Sequence, residues 1–288
     1  RSLPCSRYPA QVNAKHSAPA TIAQPAPTGR SNAEPIRTVV VAGASGRLGA
    51  LVCAVIEEMP GFELVARLGR ASQPDEGAEA DILIDVTHPE QSPAIVARAL
   101  DNGQHVIVGT SGWSADRLAE LETLVSGAHG RDGAPASVLV VPNFSLGSVL
   151  GTVLARIAAP HFDAVEIIEA HHPGKVDSPS GTAVRTAELI AGERPGQPFD
   201  APFAEQEARG ELVAGIPVHS LRLAGVIAKQ EVRFGGPGEV LTITHDTQSD
   251  EAYRPGIRAA LQAAGTISGL TVGLDRVLGL DGYFGGRA

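Results

Sequence analysis

The sequence predicts an α/β protein that combines a Rossmann-like, doubly wound parallel sheet with a second α+β domain containing an open mixed sheet. Strands and helices alternate from about residue 36 to 142, and a glycine-rich turn follows the first strand. After residue 142, strand-like segments follow one another more directly. We therefore expect a dinucleotide-binding domain at 36–142 and 253–288, and a second domain at 143–252.

Short apolar segments separated by helical patterns define the first domain. Residues 38–42 (TVVVA) are a β-branched run without charge, which is typical of a strand buried on both faces of a parallel sheet. The pattern of the following helix ends at Pro60-Gly61. Further strands are predicted at 63–67, 81–86, 104–108 and 137–141, with helices that end near Gly103 and cover about 115–125.

The second domain has a different order of predicted helices and strands. A helix is predicted at 145–158, a strand at 165–169, a helix at 181–191 and a long loop at 192–215. Three strands follow at 218–223, 226–234 and 239–245, and the glycines and proline of 235–238 form a turn between the last two. Residues 252–267 are again helical in pattern, and we expect the tail to return to the first domain.

The composition excludes some classes of function. The chain has 288 residues and a formal net charge of −9, whereas a nucleic-acid-binding surface would be basic. The longest uncharged span, 137–155, contains Pro142 and Asn143 and is not a typical membrane helix. The two cysteines, Cys5 and Cys53, form no disulfide framework, so we expect a reducing compartment, the cytoplasm. The negative net charge is compatible with an anionic small-molecule substrate, because a local cation such as Lys175 sets the field inside a cleft.

The first 35 residues differ from the rest of the chain. They contain six prolines and four basic residues but a single acid, Glu34. Because such a mixture cannot bury an apolar core, we expect residues 1–35 to be a disordered extension.

The glycine-rich turn is the first candidate binding site. It is a G-x-x-G-x-x-G variant of the dinucleotide fingerprint, with the sequence Gly43-Ala44-Ser45-Gly46-Arg47-Leu48-Gly49. Glycines let the backbone approach a pyrophosphate, and the N-terminus of the following helix supplies N–H donors. A tight turn with a purely structural role is the alternative, but the position between a strand and a helix favours nucleotide binding.

The end of the second strand bears on the choice of cofactor. An acid there would bind the ribose hydroxyls of NAD, and an arginine favours the 2′-phosphate of NADP. The chain has Arg67, Leu68, Gly69 and Arg70, and the next acid is Asp75. This pattern favours NADPH; the alternative is two solvated surface arginines.

A loop with two histidines and a lysine is the second candidate site. It follows the strand at 165–169 and leads into a helix that begins near Ser180; its candidate residues are His171, His172, Lys175, Ser180, Gly181 and Thr182. A proton-donating histidine, a fixed cation and free N–H groups at a helix start are suited to binding and protonating a carboxylate substrate. Adjacent histidines in an extended segment point to opposite faces, so we predict no metal site. The alternative is a capped helix after a polar turn, with Ser180 acting only as the cap.

The motifs of the chain, taken together, match one enzyme family. They are VAGASGRLG (41–49), DVTHP (85–89), VGTSG (108–112), PNFS (142–145), EIIEAHH (166–172) and DSPSGTA (177–183). On these motifs, over about residues 37–281, the chain resembles the 4-hydroxy-tetrahydrodipicolinate reductase family, also called dihydrodipicolinate reductase, of bacterial lysine and diaminopimelate synthesis. The last motif is the most specific of them.

The resemblance implies an activity and a set of roles. The implied reaction is the reduction of 4-hydroxy-tetrahydrodipicolinate to tetrahydrodipicolinate, with NADPH as the preferred cofactor and NADH as the alternative. His171 corresponds to the family's proton donor or acceptor and Lys175 to its proton donor, while His172, Gly181 and Thr182 correspond to substrate-binding positions. The nucleotide-contacting positions correspond to Gly43, Ala44, Ser45, Gly46, Arg47, Leu48, Arg70, Gly109, Thr110, Ser111, Val141, Pro142, Asn143 and Phe144.

Two positions depart from the family pattern. Ser111 stands where the family often has threonine, which keeps the hydroxyl, and Gly69 replaces an acid that many members carry, which weakens the case for NADH. The resemblance also implies that 143–252 is a substrate-binding and oligomerisation domain, whose sheets form a homotetramer. We expect the domains to close with hinges near Phe144 and at 246–254. Other interpretations are a different two-domain Rossmann oxidoreductase acting on an amino acid, and a non-catalytic dinucleotide sensor.

Overall fold

The computed structural model describes residues 35–73 and 75–284. The predicted extension at 1–35 lies, apart from Pro35, outside these residues, and so do Cys5 and the last four residues of the predicted first domain.

A six-stranded parallel sheet forms the first half of the fold, in the order β11-β5-β4-β3-β1-β2. Its strands are β1 (Arg37–Ala42), β2 (Phe62–Leu68), β3 (Ile82–Asp85), β4 (His105–Val108), β5 (Ser137–Val140) and β11 (Gly269–Val272). Strands β3, β4 and β5 are buried at every position, which explains why each has three apolar residues and only one polar residue, at an end of the strand. The predicted parallel sheet is confirmed, and the tail returns to it as β11.

Helices cover both faces of this sheet. They are α1 (Arg47–Glu58), α2 (Ser92–Asp101), α3 (Ala115–Val125), α6 (Arg254–Ala263) and α7 (Leu274–Val277). One core cluster packs α1 and α6 against one face, with Ile56 and Leu261 fully buried. A second cluster packs α2 and α3 against the other face through Val96 and Leu121. The sheet is therefore doubly wound, and the carboxyl ends of its strands carry the connecting loops at one edge.

A five-stranded mixed sheet forms the second half, in the order β10-β9-β6-β8-β7. Strand β6 pairs parallel with β8 and antiparallel with β9. The elements are α4 (Leu146–Ala158), β6 (Ala164–His171), α5 (Gly181–Gly192), β7 (Glu211–Val213), β8 (Ile216–Arg222), β9 (Ala228–Gly236) and β10 (Glu239–Thr247). The predicted open mixed sheet is confirmed, whereas the exact domain boundaries stay a prediction.

Alternation along β6 decides which side chains face the helices. Val165 and Ile167 are buried in a core cluster that contains residues of α4 and α5, and Glu169 is buried on the same side. Glu166 and Ile168 lie on the opposite face and are only partly buried. His171, the last residue of β6, thus continues the helix-covered face at the edge where the histidine loop begins.

The sequence prediction of a continuous loop at 192–215 was wrong at one point. Residues Glu211–Val213 form β7, which pairs antiparallel with β8 across a turn at Ala214 and Gly215. A strand of three residues, two of them exposed, carries too little alternation to be distinguished from a polar loop. Within the described residues, no helix has the length and apolar character required to cross a bilayer.

Candidate functional site

The turn between β1 and α1 depends on glycine for close backbone approach. Gly43 has a φ of +85°, and a Cβ there would lie 2.5 Å from the carbonyl oxygen of Val86. A Cβ on Gly49 would lie 2.1 Å from the carbonyl oxygen of Gly43. Helix α1 begins without a side-chain cap and without an acid in its first turn. Its first N–H groups therefore form an electropositive site suited to a phosphate.

Three loops at the carboxyl edge of the parallel sheet meet at one cleft of about 620 Å³. The predicted cofactor residues that line it are Arg47, Leu48, Gly109, Val141, Pro142, Asn143 and Phe144. The cleft also contains Leu51, Asp250 and Tyr253, which the sequence prediction missed. Arg47 Nε lies 3.7 Å from an Asp250 carboxylate oxygen, so the glycine loop and the segment before α6 meet across the cleft. Gly43, Ala44, Ser45 and Gly46 form the turn beside this cleft rather than its lining.

The buried carboxylate of Asp85 organises the loops after β3 and β4. It accepts hydrogen bonds from the Thr87 N–H, at 3.0 Å, and from the hydroxyls of Thr87 and Ser92. Its backbone oxygen accepts from the Gly109 N–H, at 2.8 Å, and from the Thr110 hydroxyl, at 3.3 Å. Of the predicted residues here, Thr110 is therefore buried against β3, whereas Ser111 is exposed.

The loop after β5 is fixed by its own side chains. The Asn143 side chain accepts from the Ser145 N–H, at 2.8 Å, and donates to the Ser148 hydroxyl, at 3.1 Å. Ser145 caps α4 and its hydroxyl lies 3.1 Å from Nε2 of His245 on β10. Burial lowers the pKa of His245, against a smaller opposing effect of Asp246. These contacts connect the two sheets and hold the Phe144 ring over Gly109, where a Cβ would lie 2.6 Å from the ring.

The two arginines at the carboxyl end of β2, Arg67 and Arg70, differ in their contacts. Arg67 pairs with Glu57 of α1. Arg70 is exposed at the carboxyl end of β2 and has no ion pair within residues 35–73 and 75–284. Arg70 is thus the arginine that remains available for an anionic ligand.

At the end of β6, His171 is held by a buried carboxylate. Nδ1 of His171 lies 2.5 Å from Oε2 of Glu169, a residue with 0% exposure. Glu169 also accepts from the Ser180 N–H, at 3.2 Å, and from the Arg222 guanidinium, at 3.0 and 3.1 Å. Burial acts to raise the pKa of Glu169, but hydrogen bonds from His171, Ser220 and Arg222 outweigh it and lower the pKa to about 2.

Lys175 and the start of α5 hold a second carboxylate, that of Asp177. Nζ of Lys175 lies 2.8 Å from Oδ1 of Asp177. Burial opposes ionisation of Asp177, but the bonds from Lys175 and from the Gly181 N–H prevail and lower its pKa. A lysine ammonium and a helix N-terminal amide therefore already bind one carboxylate at this junction.

The remaining candidates of the loop have separate positions. Ser180 is 2% exposed; its hydroxyl caps α5 by accepting from the Ala183 N–H, and its own N–H is bonded to Glu169. The N–H and the hydroxyl of Ser180 are both bonded to groups of the protein core, whereas the Gly181 N–H is bonded to the exposed Asp177 carboxylate. Gly181 and Thr182 stay the predicted substrate-binding amides. The backbone oxygen of His172 accepts from the Lys175 N–H, at 3.1 Å, in a tight turn. A cleft of about 560 Å³ is lined by Thr182 together with Pro142 and Asn143, and so connects the predicted substrate helix with a predicted nucleotide segment.

Sequence reasoning missed Glu169, Asp177 and Arg222 as parts of this site. Arg222, at the end of β8, donates to the backbone oxygens of Lys175 and Asp177 as well as to Glu169. The two acids lie in the motifs that carry the family resemblance, which was an available signal; Arg222 lies about fifty residues away and carries none. Among the described residues, no three acidic, histidine or cysteine side chains are grouped for a metal ion, and the predicted lack of a metal stays a prediction.

Comparison with known proteins identifies relatives over nearly the whole described chain. The family model described as Dihydrodipicolinate reductase, N-terminus, matches residues 37–144, and the one described as Dihydrodipicolinate reductase, C-terminus, matches residues 147–278. The 4-hydroxy-tetrahydrodipicolinate reductase of Clavibacter michiganensis subsp. michiganensis is 50% identical over 246 residues, which cover 85% of this chain and 87% of the relative. The protein of the same name from Streptomyces griseus subsp. griseus is 42% identical, over 84% of this chain and 98% of the relative.

A solved structure has the same fold. The dipicolinate-bound dihydrodipicolinate reductase from Paenisporosarcina sp. TG-14 superposes with a TM-score of 0.67 and 30% sequence identity. The match covers 84% of this chain and 99% of that structure. The fold described above is thus the fold of a solved reductase.

We predict that Gly49→Ala weakens dinucleotide binding. The added methyl group would lie 2.1 Å from the Gly43 oxygen, so the turn has to open and move the first N–H groups of α1. We expect Kd for NADPH, measured by calorimetry, to rise at least ~10-fold, which corresponds to about 1.4 kcal/mol.

Gly127→Ala is the matched control for this substitution. Gly127 lies outside the nucleotide loops, and no other atom lies within 4 Å of the position that a Cβ would take there. Its Kd should therefore remain within about twofold of that of the unmodified protein. Equal Kd values for the two variants would contradict the role given to the turn.

Proposed function

Because the chain belongs to the dihydrodipicolinate reductase family, we propose that it reduces 4-hydroxy-tetrahydrodipicolinate to tetrahydrodipicolinate in the biosynthesis of diaminopimelate and L-lysine. The chain is an oxidoreductase of this family with a nucleotide-binding Rossmann sheet. The observation that supports this substrate most directly is the binding of the Asp177 carboxylate by Lys175 and the Gly181 N–H. The same two donors are suited to binding a carboxylate of the substrate ring.

The residues at the carboxyl edge of the parallel sheet fit a nicotinamide dinucleotide. The glycine turn brings backbone N–H groups close together, and there is no acid in the first turn of α1 to repel a pyrophosphate. Gly109 and residues 141–144 would contact the rest of the cofactor, since they line the same cleft as Arg47 and Leu48. When bound, the reduced cofactor supplies a hydride to the substrate.

His171 and Lys175 are proposed to handle the proton. Reduction with loss of the 4-hydroxyl group adds one hydride to the ring and one proton to the neighbouring ring carbon, and it releases water. His171 or Lys175 delivers that proton; each is partly exposed at the end of β6 and in the following loop. The substrate carboxylate takes the place of Asp177 on the Lys175 ammonium and the Gly181 amide, with Thr182 beside them.

We expect the double variant His171→Gln, Lys175→Met to lose turnover. Each proton-transfer group typically contributes about 10²- to 10⁴-fold in rate, so kcat should fall at least ~10⁴-fold. The Kd for NADPH should stay near that of the unmodified enzyme, because neither residue lies in the nucleotide loops. Substrate-dependent loss of NADPH absorbance measures the first quantity and calorimetry the second.

His161→Gln is the control for this experiment. His161 is an exposed histidine of the turn after α4, and its replacement should leave kcat unchanged. If the double variant had the same kcat as the unmodified enzyme, both residues would be excluded as proton donors.

We propose that Arg70 sets a preference for NADPH over NADH. Of the two arginines at the carboxyl end of β2, Arg70 is the one without an ion pair among the described residues, and it lies at the edge where an adenosine ribose is expected. Arg70→Ala should raise KM for NADPH about tenfold, since one exposed charge-assisted contact to the 2′-phosphate is lost, and should leave KM for NADH within about twofold.

Arg67→Ala is the matched control, because the Arg67 guanidinium is engaged by Glu57. It should shift neither KM by more than about twofold. An equal rise in KM for NADPH and NADH in Arg70→Ala would show that Arg70 does not bind the 2′-phosphate.

We also propose a homotetramer that assembles through the open face of the mixed sheet. Helices α4 and α5 pack against the side of Val165 and Ile167, and the opposite side carries exposed apolar residues, among them Leu221 and Val240. Covering such residues would contribute apolar burial to assembly.

Light scattering should give a mass near four times 29.7 kDa for the unmodified protein. Leu221→Glu, which places a charge on the open face, should shift the population to smaller species. Leu124→Glu, at an exposed leucine of α3 on the other half of the fold, should leave the mass unchanged. A monomer in the unmodified protein would contradict the proposal.

A further inference from the structure

Glu169 connects the histidine with the helix that is expected to receive the substrate carboxylate. Its Oε2 lies 2.5 Å from Nδ1 of His171, and its Oε1 accepts from the Ser180 N–H at the start of α5. We propose that Glu169 is the positioning residue of the site, one buried carboxylate that fixes both the His171 ring and the first turn of α5. This inference rests on the proposed function, since it assigns the geometry by which His171 exchanges a proton.

The carboxylate of Glu169 is ionised and fully surrounded by donors. A buried charge is tolerated only when it is paired and hydrogen-bonded, and Arg222 supplies the opposite charge through contacts of 3.0 and 3.1 Å to the two oxygens. With a pKa of about 2, Glu169 keeps its charge at every pH used for an enzyme assay. Its oxygens are therefore acceptors only.

An acceptor-only partner determines which nitrogen of His171 carries hydrogen. Nδ1 must donate to Glu169, so the neutral ring is the Nδ1–H tautomer and the other nitrogen, Nε2, is the one that gains and loses a proton. Within the described residues, Nε2 of His171 has no hydrogen-bond partner. The geometry thus assigns proton transfer by His171 to Nε2.

The same carboxylate is bonded to β8 and, through Arg222, connected to the loop after β6. Arg222 of β8 donates to Glu169 and also to the backbone oxygens of Lys175 and Asp177 in the loop. On the neighbouring strand β9, the residue in register with Glu169 is Gln230, whose side-chain amide donates to Thr186 of α5. The other charged groups of the loop, Lys175 and Asp177, pair with each other. His171 and Arg222 are thus the titratable or charged partners of Glu169 among the described residues.

Glu169→Gln tests the proposal because it keeps the shape and removes the charge. An amide can donate or accept, so both tautomers of His171 become accessible and the ring loses its fixed orientation. We expect kcat for the reduction to fall about 10²-fold, while KM for substrate and Kd for NADPH change less than about threefold. Glu169→Asp, which keeps the charge on a shorter stem, should recover part of the lost kcat.

Glu166→Gln is the matched control. Glu166 lies on the same strand and is also bonded to a histidine and an arginine, His219 and Arg209, but on the opposite face of the sheet. This variant should keep the kcat of the unmodified enzyme. An equal loss of kcat in both variants would overturn the positioning role.

A spectroscopic measurement separates positioning from a general loss of stability. In the unmodified protein, ¹⁵N NMR of labelled histidine should report His171 as the Nδ1–H tautomer, and Glu169→Gln should convert it to a mixture. An Nε2–H tautomer in the unmodified protein would overturn the proposal even if the Gln variant failed to fold. Failure of the unmodified protein to oxidise NADPH with the substrate would instead refute the proposed function, because the tautomer does not depend on turnover.

Discussion

One fully buried carboxylate, that of Glu169, is the contact on which the arrangement of the second half of the site depends. It is bonded to His171 at the end of its own strand, to Arg222 at the end of β8 and to the backbone at the start of α5. Removing one partner from a buried ion pair is costly because the remaining charge stays buried, so these elements are held together as a unit. Arg222 extends the unit to the loop backbone at Lys175 and Asp177.

The first half of the site follows from a different constraint, the meeting of parallel strand ends at one edge of a sheet. The loops after β1, β4 and β5 line one cleft, although their residues are up to about a hundred positions apart in sequence. Close backbone approach at Gly43 and Gly49 leaves room for no side chain. Reduction of the substrate requires both the cofactor cleft and the histidine loop. Residues of the two halves of the site come together in the cleft that is lined by Asn143 and Thr182.

Much of the fold and of the candidate site could be predicted from local sequence patterns, but few of the contacts between distant segments could. The β-branched strands of the parallel sheet, the glycine turn and the histidine loop were all recognisable because their signals lie within a few adjacent residues. The bonds of Arg222 to Glu169 and the presence of Asp250 and Tyr253 in the cofactor cleft depend on how distant segments meet. Strand β7 was missed for a related reason, because its pairing with β8 is visible only in the sheet.

Strand β6 carries the same chemical grouping twice, and burial distinguishes the two. Glu166 is bonded to His219 and Arg209 on one face, and Glu169 to His171 and Arg222 on the other. The Glu166 side chain is 37% exposed, so water competes for its hydrogen bonds and screens its charge, whereas the Glu169 side chain is 0% exposed. A solvated carboxylate leaves its histidine free to exchange partners with water. A buried carboxylate whose two oxygens are both hydrogen-bonded restricts the histidine to one tautomer and one orientation. Directed proton transfer requires this restriction.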